Sequence, residues 1–250
     1  MTMPVIPHKI ACCAAATLLT ILSALYPVRT IARNEVLIAE IAAVLRFNDP
    51  PEAIMLYGTA SAAGSPFYTD IRIRTSGNKT AAPPQSSGYS PAVFAADFLG
   101  KGYDQIFYAA STGGSGGFGY YYVIDFSHGA EIIFDYSAIE NPYSAAYADG
   151  FLLNVYRNNL LWYSYDLTRH ESAPRFWDKD GKYTGGYQAE VSALNYVEPV
   201  FQYLSGTFRL NLWYKVIGMY QADTVGYIVK TLDLRDGSVF ESVADFGPTI

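Results

Sequence analysis

Short runs of alternating apolar and polar residues, separated by glycine-rich turns, follow one another along most of the chain. Four of these runs place a bulky apolar residue directly before a tyrosine: AIMLYGTA (53–60), QIFYAAST (105–112), LNVYRNNL (153–160) and NLWYKVIG (211–218). Their tyrosines are 51, 48 and 58 residues apart. Alternation over this length predicts half-buried strands, and the spacing predicts an internal repeat of about 50 residues.

The similarity between repeat units extends beyond the tyrosines. FGYYYVIDFSHGAEIIF (118–134) aligns with VGYIVKTLDLRDGSVFE (225–241) when one residue is inserted, and both segments begin a strand with Gly-Tyr. FYTDIRIRT (67–75) and LLWYSYDLT (160–168) are the shorter counterparts in the other two units. Each unit is therefore predicted to form a strand, a loop, a second strand, a tight turn and a third strand.

This organisation predicts an all-β protein. Antiparallel units of roughly 50 residues are the size of β-propeller blades, and the length of the chain allows four or five of them. A β-sandwich of meandering hairpins is the alternative, since it fits the strands though not the repeat. The segment VLIAEIAAVL (36–45) is the one candidate for a short helix.

Composition supports strands and excludes one class of partner. Tyrosine and phenylalanine, 22 and 14 residues of 250, favour pleated and half-buried surfaces. The formal net charge is −6 and the chain has no run of basic residues. Because nucleic-acid binding needs clustered lysine and arginine, we expect no nucleic-acid partner.

The first 32 residues differ from the rest. A short basic start with Lys9 precedes the continuous apolar run 10–26, which is the pattern of a secretory signal. We expect residues 1–32 to be a signal peptide or an N-terminal membrane anchor, and residues 33–250 to be a single domain. The run is shorter than the roughly 20 residues of a comfortable membrane span, so cleavage is the first expectation.

Both cysteines, Cys12 and Cys13, lie inside the apolar run. They do not follow the run as a lipid-attachment cysteine would. The remaining chain has no cysteine, so we expect a protein of the cell envelope or the medium that is held together by its core without disulfides.

The segment STGGSGGFGYYY (111–122) contains the spacing G-x-G-x-x-G over residues 114–119. That spacing cradles phosphates only where a helix follows, because the helix N-terminus holds the anion. Here three tyrosines, valine and isoleucine follow, which predicts a strand. We therefore predict a hairpin connection whose glycines adopt positive φ, and no phosphate site.

A second glycine-containing loop, ADFLGKGYDQI (96–106), has the outline of a calcium-binding loop that has lost its ligands. Asp97 occupies the first ligand position, but Leu99 and Lys101 occupy the next two and supply no oxygen. We expect no metal here; Asp97 and Asp104 are expected to brace the turn by accepting backbone hydrogen bonds.

At this loop the chain resembles the secreted VCBS and FG-GAP-like repeat proteins of bacteria. The resemblance rests on DFLGKGYDQIFYAASTGGSGGFGYYYVIDF (97–126) and on YQAEVSALNYVEPVFQYLSGTFRLNLWYKVIGMYQADTVGYIVKTL (187–232). It implies a repeat architecture of the β-propeller kind and export. It implies no catalytic residues.

The remaining polar motifs carry little chemistry. The acidic loop WDKDGKYTGG (177–186) is expected to be a surface turn, since its lysines weaken any cation site. His128 and His170 have neither zinc-binding nor triad spacing. We expect no cofactor and no catalytic residue.

Binding is the favoured function. Loops 58–66, 111–119 and 217–224 would emerge on one rim of a propeller, where loops held on a rigid scaffold contact partners. The chain is thus predicted to be an exported binding or structural protein that contacts a glycan or a cell-surface protein, with membrane contact only through residues 10–26 if these are not cleaved. The candidate ligand-binding residues of the rim are Ser115, Phe118, Tyr120, Tyr122, Tyr220 and Asp223.

The alternative function is a carbohydrate-active hydrolase with a pair of carboxylates in a central funnel. Such a pair comes from different blades, so sequence order does not reveal it. The candidate carboxylates are Asp97, Asp125, Asp135, Glu190, Asp223 and Asp233, and each is also placed as a turn or strand-end residue would be.

Overall fold

The computed structural model describes residues 35–114, 116–171, 173–220 and 223–245. Within these residues the chain forms fifteen strands in three antiparallel sheets and almost no helix. No helix among them is long and apolar enough to cross a membrane. The predicted signal peptide or anchor, residues 1–32, lies outside the described residues.

The first sheet has eight strands in the order β1-β2-β3-β5-β6-β7-β8, and the short β4 pairs with β3. Its strands are β1 (Glu35–Ala43), β2 (Glu52–Ala60), β3 (Phe67–Thr75), β4 (Thr80–Ala81), β5 (Gly88–Ala96), β6 (Gln105–Ser111), β7 (Gly119–Asp125) and β8 (Glu131–Asp135). A 3-10 turn, Tyr136–Ala138, follows β8.

The second and third sheets are smaller. The second has the order β11-β10-β9 and consists of β9 (Tyr143–Ala148), β10 (Leu152–Arg157) and β11 (Leu160–Asp166). A one-turn helix, α1 (Ala173–Phe176), follows it. The third sheet is the meander β12 (Glu190–Gln202), β13 (Thr207–Ile217), β14 (Thr224–Leu232) and β15 (Val239–Asp245).

The helix expected over 36–45 is wrong: this segment is strand β1, which pairs with β2 along nearly its whole length. Val36, Ile38 and Ile41 are β-branched and lose side-chain freedom in a helix, whereas a pleated surface accommodates them well. A β-bulge between Leu37 and Ala39 shifts the alternation, which is why the apolar spacing resembled a helical one.

Two hydrophobic clusters form the core. One collects side chains of β2 and β3, including Ile54 and Ile71, together with side chains of β6 and β7, including Tyr108 and Ile124. Side chains from both halves of the first sheet pack in this one cluster, so the sheet is bent and its two halves face each other. The other cluster joins the opposite face of β6 and β7 to the second and third sheets.

The prediction of an all-β protein built from antiparallel hairpins is confirmed. None of the three sheets closes on itself among the described strands, and a sandwich fits their arrangement. The ring of four or five blades is not shown: the first two sequence units share the eight-stranded sheet, while the third lies in the second sheet and the fourth in the third.

The correspondence between the second and fourth units has a physical basis. Gly119, the first residue of β7, and Gly226, the third residue of β14, each lie beneath a tyrosine ring. A Cβ atom there would approach the rings of Tyr121 and Tyr165 to 2.5 Å and 2.7 Å. The glycines are therefore needed for close packing of an aromatic ring on the strand.

Candidate functional site

Three consecutive tyrosines on β7 point to alternating faces of the sheet, as successive residues of a strand do. Tyr122 belongs to the cluster inside the first sheet, and Tyr120 packs at its border. Tyr121 faces the opposite way, into the cluster shared with the third sheet. Burial raises the pKa of Tyr122 to about 12 and raises that of Tyr121 further. Tyr122 is a core residue, so its ring offers no surface to a ligand.

An apolar groove runs along the face that Tyr121 occupies, between β5 of the first sheet and β12 of the third. Two adjoining cavities of about 260 Å³ and 210 Å³ form it. Their shared floor is the cross-strand pair Ala92 and Ala109. Small side chains on a face that is otherwise aromatic leave a depression, because the rings on either side stand higher.

Aromatic rings form the walls of the groove. Tyr89 and Phe94 of β5 are 38% and 41% exposed, and Tyr196 of β12 is 47% exposed. Phe118, from the loop between β6 and β7, lines the same end as Tyr89. The described residues that line the groove include no charged side chain, so the groove suits an uncharged ligand.

A β-bulge in β5 sets the spacing of the wall. Tyr89 pairs with Ser111 and Ala92 with Ala109, so three residues of β5 span two residues of β6. Pro91 lies within the bulge and Ser90 has φ of 47°. Proline is tolerated in a strand at such irregularities, and the extra residue keeps Tyr89 and Ala92 on the same face.

Two tyrosines connect the first and third sheets beside the groove. The rings of Tyr121 and Tyr196 pack edge to face with centroids 5.8 Å apart. The backbone of Val197 hydrogen-bonds the Tyr121 hydroxyl, which lowers a pKa that burial raises. The edge strand β12 is thus held against the first sheet at the point where Tyr196 rises above the groove.

The glycine-rich loop 111–119 closes one end of the groove. A strand follows it, as predicted, and Gly113 and Gly117 have φ of 83° and 72°. The ring of Tyr89 packs on Gly113, where a Cβ atom would lie 2.2 Å from it. The loop is therefore a hairpin connection that fits around the aromatic wall.

Two buried side chains of the third sheet anchor this loop. Asn195 Nδ2 and Lys215 Nζ both donate to the carbonyl oxygen of Gly116, at 2.8 Å and 3.2 Å. The ring of Phe118 packs over Gly116, where a Cβ atom would approach it to 2.5 Å. The position of Phe118 on the groove wall thus depends on side chains about 80 and 100 residues further along the chain.

The other predicted site residues that the structure describes do not line the groove. Ser115 is outside the described residues. Tyr120 packs against Tyr136 with ring centroids 5.9 Å apart. Tyr220 is 57% exposed in loop 217–224, whereas Asp223 is 9% exposed and accepts a hydrogen bond from the Met219 amide at 2.8 Å.

The predicted rim loops meet only in part. Loop 58–66 adjoins the groove, because the Ser90 amide donates to the Pro66 carbonyl oxygen and Phe67 packs on Tyr89 at 4.9 Å. Loop 217–224 instead contacts the region of α1, where Arg175 Nη1 lies 3.8 Å from Met219 Sδ.

The candidate carboxylates are mostly engaged in local turns. Asp97 accepts hydrogen bonds from the amides of Lys101 and Gly102, at 3.1 Å and 2.8 Å, which is the bracing role expected for it. Asp104 braces a different segment, by accepting from the Val44 amide at 2.8 Å. Turn or strand-end amides also donate to Asp125, Asp135, Asp223 and Asp233.

The acidic loop 177–186 is a turn in which Asp178 accepts from the amides of Asp180 and Lys182, both at 2.9 Å. Among the described residues, no group of three or more histidine, cysteine or acidic side chains is arranged to hold a metal ion.

Sequence reasoning missed the principal wall residues Tyr89, Phe94 and Tyr196. The one local signal was Pro91, between Tyr89 and Phe94, since a proline in a strand marks a bulge. No local feature of the sequence indicates that β12, about 100 residues further along the chain, lines the same groove as β5.

This chain is similar to a known protein family and to a bacterial protein, and neither of their descriptions names an activity. The family described as the YybI C-terminal domain matches residues 141–244, which contain the whole of the second sheet and nearly all of the third. The chain is also similar to "Uncharacterized protein YybI" of Bacillus subtilis (strain 168), 26% identical over 181 residues, which are 68% of this chain and 69% of that protein. No solved structure matches. Of the groove walls, Tyr196 lies within the range that the family matches, whereas Tyr89 and Phe94 precede it.

Proposed function

We propose that this chain is an exported, non-catalytic binding protein of the cell envelope, and that its groove holds an extended, uncharged segment of a protein partner. The observation that carries the proposal is the row of half-exposed rings, Tyr89, Phe94 and Tyr196, around a floor of alanines. Aromatic-lined grooves recognise extended apolar peptides, because the rings bury apolar surface and their hydroxyl groups bond the peptide backbone.

A protein segment suits the groove better than a glycan does. A sugar presents several hydroxyl groups, each of which needs a hydrogen-bond partner once it is desolvated. The groove offers the hydroxyls of Tyr89, Tyr196, Ser90 and Ser111 within a mainly apolar lining. The local engagement of most candidate carboxylates likewise favours binding over hydrolysis.

The sequence supports the export and the architecture that we propose. The basic start and the apolar run 10–26 support export, and the resemblance to VCBS and FG-GAP-like repeats supports a place at the envelope. From the repeat of about 50 residues we also propose that the units form a ring of blades. The groove itself needs only that residues of β5 and β12 line the same depression.

The test is a calorimetric titration of the purified chain with decaproline, a neutral and extended apolar peptide, and in parallel with neutral hexasaccharides. We expect decaproline to bind, and Tyr196→Ala to weaken its binding at least about tenfold, or about 1.4 kcal/mol. Tyr203→Ala is the matched control, because Tyr203 is 88% exposed in the turn after β12 and does not line the groove.

Equal affinity of the two variants for decaproline would show that the peptide binds elsewhere and would overturn the proposal. Binding of a hexasaccharide that depends on Tyr196, without binding of decaproline, would make the groove a glycan site. Binding of neither probe would remove the groove as a binding site.

A further inference from the structure

A second cleft lies between the edge of the second sheet and the segment that leads into β12. Its volume of about 670 Å³ falls within the range of roughly 300–1,000 Å³ that is typical of small-ligand sites. It is separate from the groove, since the two share no lining residue. The cleft is lined by Ala145, Ala146, Tyr147, Tyr183, Gly185, Gly186, Tyr187, Gln188 and Ala189.

The aromatic side of this cleft is firmly held. The ring of Tyr147 stacks on Phe176 with centroids 4.5 Å apart and meets Trp177 edge to face at 5.3 Å. Trp177 Nε1 in turn donates to the Ala148 carbonyl oxygen at 2.7 Å. These contacts fix β9 against α1, so the cleft wall does not need to form when a ligand arrives.

The opposite side is held by hydrogen bonds. The Tyr183 amide donates to Asp149 Oδ1 at 2.8 Å, and the Tyr183 hydroxyl donates to the Tyr187 carbonyl oxygen. The Thr184 amide donates to the Phe176 carbonyl oxygen at 2.8 Å. The ring of Tyr187 remains 42% exposed beside the cleft.

Backbone groups supply much of the polarity of the cleft. Five of its nine lining residues are alanine or glycine, whose only polar atoms belong to the backbone. β9 is the edge of its sheet, and the Asn158 amide donates to the Pro142 carbonyl oxygen. Antiparallel pairing alternates with a period of two, so the amides and carbonyls of Ala145 and Tyr147 point away from β10, toward the edge that the cleft follows.

We propose that this cleft binds a neutral saccharide. A sugar ring has an apolar face that stacks on an aromatic ring, and a rim of hydroxyl groups that needs closely spaced donors and acceptors. Tyr187 offers the ring, while the β9 edge and the Gln188 amide offer the donors and acceptors. No lining residue carries a charge, which selects against acidic sugars. This site goes beyond the protein-binding groove and stands independently of it.

The experiment follows the alanine methyl signals of the full chain by NMR during titration with cellohexaose, maltohexaose and chitohexaose. We expect one of these to shift Ala145 and Ala146, which line the cleft, and to leave Ala92 and Ala109 of the groove unchanged. Tyr187→Ala should weaken this binding at least about tenfold.

Two further variants separate loss of binding from loss of folding. Ala146→Leu fills the cleft from an exposed position and should block the saccharide while the methyl spectrum elsewhere is retained. Tyr203→Ala, outside the cleft, should bind as the unaltered chain does.

Three results would overturn the proposal. One is the absence of any shift at Ala145 and Ala146 with all three saccharides. Another is a shift confined to Ala92 and Ala109, which would place the sugar in the groove. The third is a shift at Ala145 and Ala146 with acetyl-tetraalanine amide but with none of the saccharides, which would mean that the cleft adds a peptide strand to β9.

Discussion

The ammonium group of Lys215 donates a hydrogen bond to the carbonyl oxygen of Gly116, 3.2 Å away, and Asn195 shares this acceptor. Lys215 is 8% exposed on β13, in the third sheet, whereas Gly116 belongs to a hairpin loop of the first. One end of the groove is therefore positioned by a buried side chain of the other sheet. A buried ammonium near a carbonyl makes a charge-assisted hydrogen bond, which is stronger than a neutral one.

Lys215→Met keeps the length of the side chain and removes the donor. We expect backbone amides of the loop 112–118 to exchange with solvent several-fold faster, and decaproline to bind more weakly, because Phe118 is no longer held on the groove wall. Hydrogen exchange by mass spectrometry measures the first effect. Lys230→Met, on the neighbouring strand β14, is the matched control, and equal exchange in both variants would contradict the anchoring role.

Gly226→Ala tests the packing of a ring on the glycine of the fourth unit. The new Cβ atom would lie 2.7 Å from the Tyr165 ring, so we expect a loss of about 1–3 kcal/mol in the free energy of unfolding. Gly129→Ala is the control, because nothing lies within 4 Å of its Cβ position. Urea unfolding compares the two, and equal effects would show that the ring moves aside without cost.

Asp233 is fully buried and bonds both Arg209 and Arg235, at 2.8 Å and 2.5 Å. Asp233→Asn removes the charge that these arginines surround, so we expect a loss of about 3 kcal/mol at pH 7. Urea unfolding of both proteins at pH 7 measures the difference.

The pH dependence of that loss follows from the pKa of Asp233. Hydrogen bonds from Arg235 hold this pKa well below the ordinary value of 3.8. The contribution of the carboxylate is therefore complete above about pH 5, and it is lost progressively as the pH falls through 3.8 toward the lower folded-state value. The difference between the unfolding free energies of the two proteins should be constant from pH 7 to about pH 5 and should narrow steadily from about pH 4 to about pH 2. A difference that stays constant over the whole range would contradict the assignment.

Buried tyrosines predict an alkaline transition. Burial raises the pKa of Tyr122 and Tyr214 to about 12, and raises those of Tyr108, Tyr121, Tyr143 and Tyr147 further. The unfolded chain ionises these groups near pH 10, so their contribution to stability is complete below pH 10 and is lost above it.

We therefore expect tyrosinate absorbance from these residues to appear in one cooperative step, together with loss of the β-sheet circular dichroism signal. Ionisation of all the tyrosines near pH 10 with the fold retained would contradict their burial.

Local features of the fold were predictable from the sequence. The hairpin nature of loop 111–119 followed from the tyrosines after it, and the alternation of Tyr120, Tyr121 and Tyr122 followed from strand geometry. The turn role of Asp97 followed from the lost calcium ligands. Each of these inferences depends on residues close together in the chain, where geometry is set by neighbours.

Features that depend on distant contacts were not predictable. The segment 36–45 has an ambiguous apolar spacing, and pairing with β2 makes it a strand. The groove needs Tyr196 and Tyr89 side by side, although 107 residues separate them. The predicted rim loops indicated a binding surface, but the packing of the sheets decides which rings remain exposed.

The most direct test of the groove is its own alanine floor. During titration of the full chain with decaproline, the methyl signals of Ala92 and Ala109 should shift, while those of Ala145 and Ala146 in the separate cleft should not. This result would place an extended apolar peptide between β5 and β12. Shifts confined to Ala145 and Ala146, or no shift at Ala92 and Ala109, would contradict the account of the groove as the protein-binding site.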